Sequence, residues 1–396
     1  MDKQNNIKLK NRFQSTLSSP LQDHIVKERL AWVEIDIRKF RDNFLHLRKF
    51  VHPDVKIMAV IKANAYGHGI VRIAKELQHL KVDYFAVTCI AEAKQLREAR
   101  IITPILLIGY TDPASVSLAL DYQLTISIKD EEVLKEIAKE AKKRNIIANI
   151  HVNVDTGMHF YGVTPDKAIP LILNTQLYKH IFLEGIFSHF ADAEAEDLTY
   201  SYQQIAAFNY ILDEVKKTGI TPPLIHMANG AALVRMPESH FTMVRPGTFL
   251  YGQQTGEQLK EHIPNQILSF KTQITHIRTL HEGESVGYGQ SFVAKGKTVI
   301  ASIPVGYADG FHRSWTSWGY VLVRGKKAPI ILQPAMDQTA IDVTKIPDIA
   351  VGDEVVLIGK QKKKMITLNE LSQKMNCTNY EILSGITDRV TRIYKN

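Results

Sequence analysis

Cysteine is almost absent from this sequence, which contains only Cys89 and Cys377 among 396 residues. Two cysteines are too few for the disulfide framework of a small secreted domain, and they fit a reducing cytoplasm. Long apolar runs are also missing. None approaches the ~20 residues of a membrane-spanning helix, so no membrane partner is expected. The N-terminal residues lack the apolar segment of a secretory signal, and we therefore expect a cytoplasmic protein.

Positive charge is in modest excess, with 49 basic and 41 acidic residues, a net charge of +8 and a pI near 9.1. Part of the excess lies in Lys3, Lys8, Lys10 and Arg12, and part in residues 360–364, which we interpret as a hairpin tip. Neither piece is a basic helix or contains interleaved aromatic residues. We therefore interpret these charges as solvated surface and expect no nucleic-acid partner. Attraction of anionic small molecules remains open.

The composition is that of an ordinary globular protein, with 45% hydrophobic and 23% charged residues. These values exclude a collagen-like, coiled-coil or wholly disordered chain. Because domains typically contain ~100–200 residues, the length favours two domains. Residues 1–30 are polar and aperiodic, and we interpret them as a flexible tail.

From residue 31 to about residue 265, short apolar runs alternate with segments of helical period such as 91–100, 129–143 and 202–218. This alternation predicts an α/β fold with parallel strands, and eight such units favour a closed (β/α)8 TIM-type barrel. A doubly wound sheet is the alternative, but no Gly-x-Gly-x-x-Gly follows the first strand. The eight predicted strands are 56–61, 84–88, 104–108, 123–127, 148–154, 183–187, 224–228 and 242–244, preceded by an extra run at 32–35.

Residues 266–396 have a different pattern and are predicted to form a second, mostly β domain. A helical spacing of apolar residues occurs there only near 368–375. The sequence Arg324-Gly-Lys-Lys is typical of a hairpin turn. The predicted strands are 267–280, 298–304, 320–323, 328–332 and 354–358.

Polar residues follow several of the barrel strands, where the active site of such a barrel lies. The sequence Lys62-Ala-Asn-Ala-Tyr-Gly-His-Gly69 follows the first strand, and further groups follow later strands at Asp155-Thr-Gly-Met158, Ser188-His189, Asn229-Gly230 and Arg245-Pro-Gly247. Glycines at several strand ends allow the close backbone approach that a phosphate needs. Their convergence predicts a site for a phosphorylated ligand.

The individual residues of this set each allow two interpretations. Lys62 ends an apolar strand, where desolvation favours the neutral amine that forms Schiff bases, but it could also extend from the barrel rim into solvent. His189 could be a site residue or a hydrogen-bonded core histidine. Arg245 could bind a ligand or pair with a carboxylate at a strand end.

The run Ala59-Val-Ile-Lys-Ala-Asn-Ala-Tyr-Gly-His-Gly69 resembles the pyridoxal-phosphate (PLP) attachment motif of the alanine racemase family. The resemblance covers about residues 31–394, and the barrel followed by a β domain agrees with that family's architecture. Further matches follow in order and at similar spacing: Val154-Asp-Thr-Gly-Met158, Ser188-His-Phe190, His226-Met-Ala-Asn229, Met243-Val-Arg245, Gly247, Tyr251-Gly252, Val286-Gly-Tyr-Gly289, Ile303-Pro-Val-Gly-Tyr-Ala-Asp-Gly310, Met336-Asp-Gln338 and Asn379-Tyr-Glu381.

The resemblance implies a PLP-dependent racemase that interconverts L- and D-amino acids, with alanine as the default substrate and cell-wall precursors as the use of the product. Lys62 would hold PLP and act as the base on the D-face, and Tyr288 would be the opposing base on the L-face. Tyr288 and Met336 would serve the partner subunit's site, which implies a homodimer with shared active sites.

The other site residues also follow from the resemblance, which implies no metal site. The guanidinium of Arg245 would meet the pyridine nitrogen and keep it unprotonated by like-charge repulsion. Besides Lys62, the implied cofactor site comprises Tyr66, His189, Asn229, Gly230, Arg245, Gly247 and Thr248. The implied substrate entrance comprises Tyr307, Met336 and Asp337.

Several positions depart from the family pattern. Phe160 replaces an arginine that helps to hold the cofactor oxygen and the substrate carboxylate, and Gly230 replaces a phosphate-binding serine. Asp388 replaces a tyrosine beside the phosphate, and it could either face solvent or receive a cationic substrate side chain. Asn153 stands where some members carry a modified lysine, and Gln333 and Ala335 also differ from the usual residues.

These departures leave three alternatives to an alanine racemase. A racemase for a larger polar or basic amino acid, such as serine, lysine or ornithine, would suit Phe160 and Asp388. A non-catalytic PLP-binding protein would have no use for Tyr288 as a second base. A PLP decarboxylase of the same barrel type would need a cysteine-bearing motif, which is absent from residues 286–289.

Overall fold

The computed structural model describes residues 29–253, 259, 262, 264–313 and 319–396. The predicted N-terminal tail, with its basic residues Lys3, Lys8, Lys10 and Arg12, therefore lies outside the described residues except for Arg29 and Leu30. Within the described ranges, no helix has the length and apolar character needed to cross a membrane.

Eight parallel strands form a closed barrel, as predicted. Each strand pairs in parallel with the next, and the last closes on the first through Lys56↔Met243 and Ile57↔Val244. Most of the strand residues are apolar, because helices cover the outside of the barrel and side chains fill the inside. They are β2 (Lys56–Val60), β3 (Tyr84–Val87), β4 (Ile105–Leu107), β5 (Thr125–Ile128), β6 (Ala148–Asn153), β7 (Ile181–Phe187), β8 (Leu224–His226) and β9 (Met243–Val244).

Helices follow the barrel strands and cover the outside of the barrel. They are α1 (Ile37–Arg48), which precedes β2, and then α2 (Ile70–His79), α3 (Ile90–Glu98), α4 (Val116–Asp121), α5 (Glu131–Arg144), α6 (Pro165–Thr175), α7 (Thr199–Lys217) and α8 (Gly230–Arg235). A 3-10 turn, Thr248–Tyr251, follows β9.

Local sequence explains where these helices begin and end, and α5 shows how. The side chain of Asp130 accepts a hydrogen bond from the amide of Val133 and caps the first turn. Acidic residues occupy that turn and basic residues the last, which suits the helix dipole. Asn145 adopts a left-handed conformation with φ of 53° and ends the helix.

The C-terminal residues form three further sheets, and the predicted mostly β domain is confirmed. One sheet has seven strands: β1 (Ala31–Asp36), β10 (Leu268–Gln273), β15 (Tyr320–Val323), β16 (Lys326–Pro329), β18 (Glu354–Gln361), β19 (Lys364–Ile366) and β20 (Thr391–Lys395). Their order is β16-β15-β18-β10-β1-β20, with β19 paired to β18. The smaller sheets contain β11 (His276–Leu280), β14 (Thr298–Ile303) and β17 (Thr339–Asp342), and β12 (Ser285–Val286) with β13 (Phe292–Val293). Two helices, α9 (Leu368–Met375) and α10 (Asn379–Ser384), complete this part.

Two strand predictions need correction. The run 267–280 was predicted as one strand, but it is divided between β10 and β11, which lie in different sheets. The division falls at Ile274, whose amide bonds to Asp353, and Thr275, whose amide bonds to Ser302, so the chain passes from one sheet to the other there. The run 328–332 overlaps β16 only at residues 328 and 329, because the strand begins directly after the Arg324-Gly325 turn.

Strand β1 connects the two parts of the chain. It pairs in antiparallel fashion with β10 and in parallel fashion with β20, although more than 200 residues separate it from either partner. The leading run therefore belongs to the C-terminal sheet and not to the barrel. Helix α1 contacts β20, and the side chains of Arg392 and Tyr394 donate to the backbone oxygens of Gly67 and His68, so one side of the barrel mouth faces C-terminal segments.

Candidate active site

Lys62 lies two residues beyond the end of β2, at the carboxyl end of the barrel, and is half-buried. The following residues Ala63, Asn64, Ala65 and Tyr66 all have φ between 51° and 53°, so the chain makes a left-handed turn there. Non-glycine residues adopt this conformation at a cost of about 1 kcal/mol each or more, and they cluster at functional sites. The turn fixes the direction in which Lys62 leaves the strand.

Glu92, from α3, holds this turn in place. Its carboxylate accepts hydrogen bonds from the amides of Ala63, at 2.6 Å, and Thr88, at 2.9 Å. The side chain of Asn64 adds a bond from the amide of Ile70, at 2.8 Å. Sequence reasoning missed Glu92, because a glutamate in the first turn of a helix is ordinarily explained by the helix dipole alone.

Three hydroxyl groups converge beside the turn. The ring of Tyr66 lies 6.0 Å from that of Tyr380, and the hydroxyl of Tyr380 lies 3.3 Å from that of Thr248. Burial, with the nearby Tyr380 and Glu92, raises the pKa of Tyr66 well above its ordinary value, so its hydroxyl keeps its proton as a donor. A Cβ atom at Gly247 would lie 3.0 Å from the Tyr66 hydroxyl oxygen, so glycine keeps this space open.

The predicted residues Tyr66, Gly247 and Thr248 are therefore close together in the structure. Hydroxyl donors around a position that lacks a side chain form a cradle suited to an anion such as a phosphate. Tyr380 belongs to this cradle but was not among the predicted site residues. The motif Asn379-Tyr-Glu381 was the signal that could have identified it.

Asn229 and Gly230 lie at the start of α8. The Asn229 side chain caps the helix by accepting a hydrogen bond from the amide of Ala232, at 2.9 Å. A Cβ atom at Gly230 would lie 2.6 Å from the buried ring of Phe249. Glycine at position 230 therefore leaves room for the large side chain of Phe249, and this packing explains why the position does not carry a serine.

Arg245 is buried, and its hydrogen-bond acceptors among the described residues are neutral. Its guanidinium donates to the backbone oxygens of Ser188, at 2.7 Å, and Met227, at 3.2 Å, and to ring nitrogens of His226, at 2.8 Å, and His189, at 2.9 Å. Burial lowers the pKa of Arg245 to about 9, so it remains a cation at neutral pH. This arrangement rules out the interpretation of Arg245 as a partner of a carboxylate at a strand end.

The His189 ring lies between Arg245 and Lys62 at the barrel mouth. Desolvation within the mouth, followed by the charges of Arg245 and Lys62, lowers its pKa. The residue is exposed at the mouth, and because the guanidinium of Arg245 can only donate, Nδ1 of His189 accepts, which leaves the imidazole neutral. The interpretation of His189 as a core histidine is wrong, because the ring reaches the mouth.

Tyr288 lies apart from this cluster. It is 90% exposed in a short turn between β12 and β13. Among the described residues, no recorded hydrogen bond or ring contact connects it to the barrel mouth. The structure of one chain therefore does not bring Tyr288 and Lys62 together.

The predicted entrance residues form a second cluster in the C-terminal part. The amide of Tyr307 donates to the backbone oxygen of Ala335, and that of Ala308 donates to Met336, each at 3.0 Å. Asp337 pairs with Arg389 at 2.5 Å, and Arg389 lies on the segment that also carries Asp388. Tyr307, Met336 and Asp337 are thus close together in the structure.

Two of the departing residues lie at the barrel mouth and are exposed. Phe160 is 87% exposed in the loop after β6. The side chain of Asp388 is 94% exposed, but it accepts a hydrogen bond from Asn64 at 3.3 Å and lies 3.8 Å from the guanidinium of Arg392. Asp388 therefore has a cationic partner within the chain and lies beside the left-handed turn.

Comparison with known proteins agrees with this geometry. The family model of the alanine racemase N-terminal domain matches residues 35–255, and that of the alanine racemase C-terminal domain matches residues 267–394. The chain is 39% identical over 369 residues to an alanine racemase of Halothermothrix orenii, covering 93% of this chain and 97% of that one. It is also 39% identical over 364 residues to alanine racemase 1 of Caldanaerobacter subterraneus subsp. tengcongensis, covering 91% and 94%.

Solved structures give the same result. An alanine racemase of Clostridium difficile 630 superposes with a TM-score of 0.89 at 33% identity, covering 93% of this chain and 96% of that one. An alanine racemase from Bacillus anthracis with bound L-Ala-P superposes with a TM-score of 0.87 at 31% identity, covering 93% and 95%.

Proposed function

The chain belongs to the alanine racemase family, and from this membership we propose how its own residues carry out the reaction. The protein is an isomerase that interconverts L- and D-amino acids, with alanine as its substrate. Its two free cysteines, of which Cys89 is exposed, suit the reducing cytoplasm that we propose as its location.

The barrel mouth fits PLP, the cofactor of this family. Lys62 offers an amine at the end of an apolar strand, and the hydroxyls of Tyr66, Thr248 and Tyr380 surround the space that Gly247 leaves open. Arg245 presents a buried cation next to His189. We assign the phosphate to the hydroxyl cradle and the ring to the space between Arg245 and the mouth. When bound, PLP would stabilise negative charge at the substrate Cα atom.

Racemisation requires one proton acceptor and one proton donor on opposite faces of the Cα atom. We assign the Nζ atom of Lys62 to the D-face and the hydroxyl oxygen of Tyr288 to the L-face. In the L-to-D direction, Tyr288 removes the Cα proton and Lys62 returns a proton to the other face. In the reverse direction the two groups exchange roles.

Tyr288 must come from a second copy of the chain in this proposal. Its exposed position, without a contact to the barrel mouth in the described part of the chain, supports a homodimer in which each site takes Lys62 from one subunit and Tyr288 from the other. Met336 of the second copy would lie with Tyr307 and Asp337 at the entrance.

The position of Lys62 carries this proposal, and borohydride trapping tests it. We expect the PLP-loaded protein to absorb visible light and reduction to fix the cofactor onto the peptide that contains Lys62. Peptide mass spectrometry would identify the modified residue. A Lys62→Ala variant should bind PLP only reversibly and give no modified peptide. Recovery of the reduced cofactor on another lysine would contradict the assignment.

The second base is tested by isotope exchange. Tyr288→Phe should keep PLP but lose racemisation, because only Lys62 could then move the Cα proton. Exchange of that proton with deuterated solvent should survive better for D-alanine than for L-alanine. Near-native racemisation in both directions would show that Tyr288 is not the second base.

A further inference from the structure

A chain of hydrogen bonds crosses the interior of the barrel from the mouth to the opposite end. It begins at Arg245, which follows β9 at the mouth, and continues to His226, the last residue of β8, at 2.8 Å. The Nε2 atom of His226 lies 2.9 Å from Nδ1 of His151, on β6. The Nε2 atom of His151 lies 3.3 Å from the carboxylate of Glu184, on β7.

Glu184 lies near the amino-terminal end of the barrel. Its carboxylate accepts hydrogen bonds from Tyr84 at 2.6 Å and Thr125 at 3.2 Å, and these residues begin β3 and β5. Both histidines are completely buried, whereas the Glu184 side chain is 15% exposed. The chain of bonds therefore connects the cation at the mouth with a carboxylate on the far side of the barrel.

The two ends of this chain fix the position of every proton in it. A guanidinium can only donate, so the Nδ1 atom of His226 must accept. His226 is therefore protonated at Nε2 and donates to Nδ1 of His151. That ring is in turn protonated at Nε2 and donates to Glu184, because an ionised carboxylate can only accept. Burial lowers the pKa of both imidazoles, which agrees with one proton on each ring.

The barrel interior is shaped to hold these two rings. A Cβ atom at Gly185 would lie 2.8 Å from the His151 ring, so only glycine leaves room for it. The Phe187 ring stacks on His226 with centroids 4.9 Å apart and an interplanar angle of 4°. Neither imidazole can rotate freely, so the direction of donation is a property of the folded barrel.

We propose that Glu184 is a positioning residue for the active site, acting through His151 and His226 to hold Arg245 as a donating cation at the barrel mouth. The inference builds on the proposed function, since it assumes that Arg245 faces the cofactor ring. Arg245 is the cationic end of this series of hydrogen bonds, and Glu184 is its anionic end. Among the described residues, Arg245 donates directly to no carboxylate. An amide at position 184 could still accept from His151 through its oxygen, but it carries no charge, so the hydrogen-bonded chain would lose the anion that balances Arg245.

Neutron diffraction of the full-length protein tests the tautomers directly and does not depend on bound PLP. We expect deuterium on Nε2 and none on Nδ1 in both His151 and His226. Deuterium on Nδ1 of either ring would overturn the inference, whatever becomes of the proposed function.

A Glu184→Gln variant tests the effect on the active site. We expect kcat/KM for alanine to fall by roughly tenfold, as for other residues that orient a group in contact with a ligand. The midpoint of the pH titration of the visible absorption band of the PLP-loaded protein should also shift, because the electrostatic field of Arg245 at the cofactor changes. An unchanged titration would overturn the inference.

The matched control is Glu76→Gln. Glu76 is also a buried glutamate, but it pairs with Arg41 and Arg72 outside the barrel interior. This change should lower stability without moving the absorption titration. An equal shift in both variants would mean that the effect is only structural and would overturn the proposal. If Glu184→Gln does not fold, Glu184→Asp, which keeps the charge, takes its place in the titration and should retain the native curve.

Discussion

His68 is buried beneath the left-handed turn and should make the stability of the protein depend on pH. Its Nδ1 atom donates to the backbone oxygen of Ala65 at 2.9 Å, and its ring stacks on Tyr251 at 4.5 Å. Among the described residues, its Nε2 atom has no hydrogen-bond partner. Burial lowers the pKa of His68 to about 4, so the folded protein holds a neutral ring.

The sign of the pH effect follows from this lowered pKa. An unfolded chain binds a proton at His68 below a pH of ~6.5, and the folded chain does so only near pH 4. The stabilisation is therefore complete above pH 6.5 and is lost as the pH falls towards 4. At pH 5 the loss should be about 2 kcal/mol. Urea unfolding at pH 7.5 and pH 5 should show this loss for the native protein and a smaller loss for His68→Phe; equal losses would contradict the prediction.

Phe160 should limit activity on alanine. An arginine at this position would supply a charge-assisted hydrogen bond of ~1.5–3 kcal/mol to a carboxylate, which phenylalanine cannot form. Phe160→Arg should therefore raise kcat/KM for alanine by roughly one to two decades. Phe160→Leu is the control and should change it little. A Phe160→Arg variant no better than Phe160→Leu would show that another group already binds the carboxylate.

Asp388 is expected to act within the chain and not as a receptor for a cationic substrate. Its contacts with Asn64 and Arg392 already satisfy the carboxylate. Asp388→Tyr should therefore leave the preference for alanine over lysine and ornithine unchanged. Chiral chromatography of the products from each L-amino acid would measure that preference. A native enzyme that prefers lysine, with the preference removed in Asp388→Tyr, would support recognition of a cationic side chain instead.

At the scale of elements, the barrel could be predicted because each strand carries its own signal. Runs such as 56–61 are apolar and are followed by a helical period, and neither feature depends on distant residues. Strand β1 has no such signal for its partners, since β10 and β20 lie more than 200 residues away. The left-handed turn after Lys62 was also beyond prediction, because Ala and Tyr rarely adopt that conformation and the supporting Glu92 lies on another helix.

The start of α8 gives a prediction about packing at the cofactor site. Gly230→Ser should destabilise the protein by about 1–3 kcal/mol, because the new Cβ atom would lie 2.6 Å from the buried Phe249 ring. Phe249→Leu removes the ring and should relieve part of that cost in the double variant. Thermal unfolding of the native protein, the two single variants and the double variant forms a double-mutant cycle, which measures the coupling between positions 230 and 249. Additive effects of the two changes would contradict the explanation given for Gly230.

At the scale of the whole molecule, one chain holds only part of the proposed active site. The barrel residues Lys62, Tyr66 and Arg245 converge within the chain, whereas Tyr288 lies exposed on the C-terminal part. The sequence resemblance named all four residues and implied that Tyr288 serves the partner subunit's site, but it gave no distances or contacts among them. In the proposed homodimer, the subunit that supplies a residue would depend on how the two chains assemble, and a single sequence carries no local signal for that.

Complementation between two inactive variants tests the shared site. In a heterodimer of Lys62→Ala and Tyr288→Phe subunits, one site lacks both bases and the other has both. A random mixture is half heterodimer, and each heterodimer holds one intact site, so about a quarter of all sites should be active. Co-expression with two different affinity tags and purification through both would isolate the heterodimer, which should have about half of the native activity.

The control pairs Lys62→Ala with the Lys62→Ala, Tyr288→Phe double variant and should stay inactive, because neither subunit offers Lys62. An inactive but verified Lys62→Ala, Tyr288→Phe heterodimer would show that each site takes both bases from the same chain.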